Sequence, residues 1–138
     1  YGPLYSFIDG HRLVDVPGNT DILMVTGIAK YEALKQYLQI KARNVYVRDF
    51  RDHHRFDVYD LESIRTTFTN MGNVNKIMVT TEKDATRLEP FRNWFLQNKI
   101  EIFVQPVAVT FLGLDRGVFN DSIIKYIEAA KQKAAESN

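Results

Sequence analysis

Three short apolar runs, each followed by a stretch with helical spacing, constrain this chain more than any other feature. Asp21-Ile22-Leu23-Met24-Val25-Thr26 carries four consecutive apolar residues without alternation, the mark of a strand covered on both faces. Asn44-Val45-Tyr46-Val47-Arg48 is rich in β-branched and aromatic residues, as strands are. Lys76-Ile77-Met78-Val79-Thr80-Thr81 repeats the first pattern. Between these runs, Leu34, Tyr37, Leu38 and Ile40 recur near helical spacing over Tyr31 to Ile40, and Leu61, Ile64 and Phe68 do so over Tyr59 to Phe68. Asp57 or Asp60 is placed to cap the second helix. Strands that alternate with helices at this spacing form βαβ units. The expected fold is therefore α/β: a mostly parallel open sheet with flanking helices, Rossmann-like, in three αβα layers.

The remaining elements extend that frame. Glu89 to Gln97 reads as a helix, with Pro90 in its first turn and Phe91, Trp94 and Phe95 on one face as core rather than as a base-stacking platform. Ile100 to Val104 reads as a fourth strand, Val107 to Phe111 as an extended or edge continuation after Pro106, and Asp121 to Ala135 as a last helix. Arg12 to Val16 is expected to form a strand outside the main sheet, and Pro17-Gly18-Asn19 a turn. The organisation expected is a junction over 1–20 leaving an upstream domain, an αβ domain over 21–135 and a tail over 136–138. The lack of a starting Met suggests a piece of a longer protein.

Composition narrows the chemistry. A hydrophobic share of 45% is enough for a sizeable core. The chain has no cysteine, so disulfides and thiolate chemistry are excluded. A formal net charge of +1 gives no basic field, and no nucleic-acid partner is expected. No apolar run approaches the roughly 20 residues that cross a bilayer, so no transmembrane segment is expected.

In an open parallel sheet, ligands bind beyond the carboxyl ends of the strands. The unusual polar residues lie there: Thr26-Gly27 after the first run, Asp52-His53-His54 after the second, and Thr81-Glu82-Lys83-Asp84 after the third. Helix N-termini facing the same edge would suit an anion or a phosphate. Each loop also has a plainer reading. Thr-Gly after a strand makes a tight turn, and Thr81 and Asp84 have the spacing of a capping box. Two adjacent imidazoles beside a carboxylate are harder to dismiss, because they cost stability if buried and unpaired. Further ligands at metal spacing are absent, so acid–base support or substrate positioning is preferred to a metal site.

Val25-Thr26-Gly27-Ile28-Ala29, Asp52-His53-His54-Arg55-Phe56 and Thr80-Thr81-Glu82-Lys83-Asp84-Ala85, in this order and spacing, resemble the C-terminal half of tetraacyldisaccharide 4′-kinases. The resemblance covers about residues 20 to 110, and the combination is far more specific than any one motif. It implies a P-loop-type kinase that moves the γ-phosphoryl of ATP, with Mg²⁺, to the 4′-hydroxyl of a tetraacyl-disaccharide 1-phosphate lipid A precursor, at the cytoplasmic face of the inner membrane of a Gram-negative bacterium. It further implies that His53 supports a catalytic carboxylate of the upstream P-loop domain, with Asp52 and His54 positioning it. One departure is large: no G-x-x-x-x-G-K-[ST] occurs in the chain, so nothing here wraps a triphosphate in that manner. The chain alone is then expected to be inactive and to bind no cofactor tightly. Two other readings stay open, a stand-alone nucleotide or phosphosugar-binding module and a small histidine-assisted hydrolase.

Overall fold

The computed structural model describes residues 1–13 and 15–106. Six strands form one sheet in the order β2-β1-β6-β5-β3-β4. In chain order the elements are β1 (Leu4–Ser6), β2 (Arg12–Leu13), β3 (Asp21–Thr26), α1 (Glu32–Lys41), β4 (Asn44–Asp49), α2 (Val58–Asn70), β5 (Lys76–Thr81), α3 (Glu82–Leu88), a 3₁₀ turn (Glu89–Phe91), α4 (Arg92–Gln97) and β6 (Ile102–Gln105). β3 pairs in parallel with β4 and β5, and β5 in parallel with β6. The four-stranded parallel core is the α/β arrangement expected from the alternating pattern.

The side chains of β3 divide with period two, as a pleated strand requires. Leu23 and Val25 join Leu61, Ile64, Phe68, Leu88 and Phe95 on one face. Ile22 and Met24 join Leu34 and Leu38 on the other. α1 thus covers one face of the sheet, and α2, α3 and α4 cover the opposite one. Every residue of β3 is buried, which is why its sequence is a continuous apolar run. Phe95 is 1% exposed, and Phe91 and Trp94 pack against the same cluster, so these aromatics are core.

The first residues depart from the expectation of a separate strand. Arg12–Leu13 pairs antiparallel with Leu4–Ser6, which in turn pairs antiparallel with β6. The hairpin belongs to the main sheet because β6 otherwise has an open edge beside buried Phe103 and Val104. Leu4 and Phe7 are themselves buried, one in each apolar layer. Residues 1–20, read from sequence as a junction, therefore carry two strands of this sheet. The expected extended stretch over 107–111 and the last helix over 121–135 lie outside the described residues.

Candidate functional site

Parallel register brings the three loops to one edge. Thr26 pairs with Asp49, Val25 with Thr80, and Thr81 with Gln105, so the chain leaves β3, β4 and β5 side by side. The chain runs from β3 to β4 on one flank and then crosses to β5 on the other. This reversal makes β3/β5 the switch point, where open α/β sheets leave a crevice.

That crevice is occupied by Asp84, which is wholly buried. The Gly27 N–H donates to its Oδ2 at 3.0 Å, and the Thr81 hydroxyl donates to the same oxygen at 2.7 Å. The guanidinium of Arg87 donates from Nη1 to Oδ1 at 3.2 Å. Thr81 also caps α3, its hydroxyl accepting from the Asp84 N–H at 3.1 Å. The capping reading of Thr81 is correct, but the Asp84 carboxylate reaches out of its own helix to the loop after β3. Gly27 permits this approach: a Cβ there would lie 3.1 Å from Asp84 Oδ1. Thr26, also wholly buried, accepts from the Ile28 N–H at 3.2 Å and shapes the same turn.

The two imidazoles part company. His53 has φ 62°, in the left-handed region that few residues other than glycine adopt, and its side chain is 75% exposed. Its Nε2 lies 3.5 Å from Asp52 Oδ2, and Arg87 Nη2 lies 3.4 Å from its Nδ1. His54 turns inward, its Nε2 2.8 Å from Asp60 Oδ2. Its ring stacks on Phe50 at 4.7 Å and meets Phe56 edge-on at 5.2 Å. Burial pushes the Asp60 carboxyl up, yet the hydrogen bonds from His54 and the Asp57 N–H outweigh it and hold the group below its ordinary value. His54 is thus a support for the start of α2, while His53 stands on the open rim.

Of the residues singled out from sequence, Gly27, Thr81 and Asp84 meet directly, and Lys83 Nζ approaches Asp52 Oδ1 at 4.0 Å across the gap between loops. Glu82 faces elsewhere, lining a hollow with Tyr5, Thr86 and Arg92. There burial, aided by the Glu82 charge, raises the Tyr5 phenol. Arg87 was missed. It touches all three loops, donating to the Gly27 carbonyl at 3.4 Å as well as to Asp84 and His53. Its position three residues after Asp84 on one helix was the available signal. Together His53, Arg55, Arg87 and Phe91 border an open hollow of about 540 Å³.

The sequence profile of the tetraacyldisaccharide-1-P 4′-kinase family matches residues 9–128. The chain belongs to this family. A tetraacyldisaccharide 4′-kinase of Bacteroides fragilis is 33% identical over 125 residues, covering 91% of this chain and 33% of that protein. The Bacteroides thetaiotaomicron 4′-kinase is 36% identical over 109 residues, 79% of this chain and 29% of the relative. That of Parabacteroides distasonis is 29% identical over 132 residues, 93% and 36% respectively. The chain therefore spans about a third of the length of the 4′-kinases it matches. No solved structure matches it. Among the described residues, no helix is long and apolar enough to cross a membrane.

Proposed function

We propose that this chain supplies the C-terminal αβ part of an ATP-dependent kinase acting on the 4′-hydroxyl of a tetraacyl-disaccharide 1-phosphate. The observation that carries the reading is the convergence of Gly27, His53 and Asp84 at one sheet edge, joined through Arg87. In the reaction, the sugar hydroxyl oxygen bonds to the γ-phosphorus of ATP. The bond to the bridging oxygen breaks, and its electron pair leaves with ADP. The hydroxyl proton passes to a carboxylate of the upstream domain, which His53 orients through a ring N–H. Asp52 and Lys83 set the rim on which His53 sits.

ATP and Mg²⁺ are assigned to the upstream domain. The sequence has no phosphate loop, and the described residues contain no group of three or more His, Asp or Glu able to hold a metal ion. The chain by itself is then inactive. The lipid substrate would put the whole enzyme at the cytoplasmic face of the inner membrane as a peripheral protein.

The test is a chimera in which residues 1–138 replace the matching third of the Bacteroides fragilis relative. Transfer of labelled γ-phosphate to the disaccharide is expected from the chimera and not from the isolated chain. His53→Ala should lower kcat by about 10²-fold or more. A folded chimera without transfer undoes the assignment. Micromolar nucleotide binding by the isolated chain would instead favour a stand-alone binding module.

A further inference from the structure

The guanidinium of Arg87 works at both ends. Nη1 is anchored on Asp84 Oδ1 and the Gly27 carbonyl, and Nη2 reaches outward to His53 Nδ1. The anchor is firm, because Asp84 is wholly buried and is fixed by the Gly27 N–H and the Thr81 hydroxyl. The Arg87 side chain is 19% exposed, against 75% for His53. A fixed cation thus meets an exposed imidazole at its outer end.

Arginine has donors only and keeps its charge. The ring nitrogen that faces it must therefore present a lone pair. The other ring nitrogen, Nε2, faces Asp52 Oδ2, and a carboxylate only accepts. The Arg87 contact requires the lone pair on Nδ1, and the carboxylate near Nε2 favours the proton there, so both neighbours point to the same tautomer.

We propose that Arg87 is a positioning residue that holds His53 in the Nε2–H form, so that His53 meets the reaction as a hydrogen-bond donor. The catalytic consequence rests on the kinase reading above; the tautomer does not. A donor at Nε2 suits a histidine that orients a carboxylate of another domain, since the carboxylate then remains the proton acceptor. Arg87 is the more apt for this because a lysine is a single point charge, without a second nitrogen fixed in the plane.

The chain labelled with ¹⁵N at its three histidines gives the first readout, with His53 assigned by its disappearance in His53→Gln. At alkaline pH, ring ¹⁵N–¹H correlations should report a protonated Nε2 and a hydrogen-bonded, unprotonated Nδ1. Arg87→Lys keeps a cation for Asp84 and so keeps the fold, checked by circular dichroism. In it the His53 resonances should move toward those of free histidine while His11 and His54 stay in place. A proton on Nδ1 of the unsubstituted chain, or His53 resonances indifferent to Arg87→Lys, overturns the proposal. In the chimera, Arg87→Lys should lower kcat about tenfold to a hundredfold, in the range found when an outer partner that fixes an imidazole is lost, with KM for both substrates within about twofold. His53→Gln, which retains a donor near Nε2, should keep more activity than His53→Ala. An unchanged kcat in Arg87→Lys also overturns the positioning role, and leaves the kinase reading standing. An inactive unsubstituted chimera defeats that reading alone, and the ring spectra still decide what Arg87 does.

Discussion

Asp84 and Gly27 show how one close contact fixes a site. The carboxylate is wholly buried and accepts from three donors among the described residues, so its charge is tolerable only while those donors stay in place. Asp84→Asn preserves the shape but leaves Arg87 facing a neutral amide. Unfolding in urea should show a loss of about 3 kcal/mol, the low end for a broken buried pair because Arg87 retains some water. Stability equal to the parent would mean that the latch holds nothing. Gly27→Ala attacks the contact from the other side. Its Cβ would press on Asp84 Oδ1 at 3.1 Å and on the Arg51 carbonyl at 3.4 Å, and a destabilisation of about 1–3 kcal/mol is expected by the same measurement. The local half of this arrangement was legible in the sequence, since Thr81 and Asp84 have capping spacing. The distant half was not. A contact 57 residues apart follows from strand order, which no local pattern carries.

At the scale of elements, α2 has the most fully built start. Asp57 and Asp60 form a reciprocal capping box, each accepting from the other's backbone N–H at 2.9 and 3.0 Å. His54 adds a bond to Asp60 from the loop after β4, so the cap also ties that loop down close to His53. The folded pKa of Asp60 lies below its ordinary 3.8. A carboxyl shifted in that direction stabilises the fold above the unfolded pKa, and the contribution vanishes as pH falls through the folded value. Asp60→Asn should therefore lower the melting temperature at neutral pH by several degrees, as expected for about 1 kcal/mol at a cap. The gap from the parent should narrow as pH falls below the ordinary 3.8 and close once the folded Asp60 is itself protonated; thermal melts across the acid range give the answer. β3 and β5 were legible nearly to their ends because burial leaves unbroken apolar runs; β4, partly exposed, was legible from its β-branched and aromatic residues, and β1 was not legible. α3 was legible only as a capped start at Thr81 and Asp84, without its extent, because seven residues are too few to display a period. The single helix read over 89–97 is instead a 3₁₀ turn followed by α4. Pro90 lacks the N–H that would continue the α3 ladder, so the chain must restart.

For the described fold as a whole, the first residues matter as much as the parallel core. Gly2 N–H donates to the Pro106 carbonyl at 3.2 Å, and buried Gln105 donates from Nε2 to the Gly2 carbonyl at 2.6 Å. β1 is thereby fastened to the carboxyl end of β6, on the same edge as the three loops. A junction could be removed at little cost. This segment cannot, because Leu4 lies in one apolar layer and Phe7 in the other. Each such side chain contributes about 1.5–3 kcal/mol of burial. Deleting residues 1–16 removes both, together with buried Val16, and strips β6 of its antiparallel neighbour. The expected loss of about 5 kcal/mol or more is comparable to the whole stability of a small domain. The truncated chain should lack a cooperative unfolding transition and expose its β6 amides to rapid hydrogen exchange. If it instead melts as sharply as the parent, with β6 still protected, the hairpin is an appendage, and the edge that carries Gly27, His53 and Asp84 is held by the parallel strands alone.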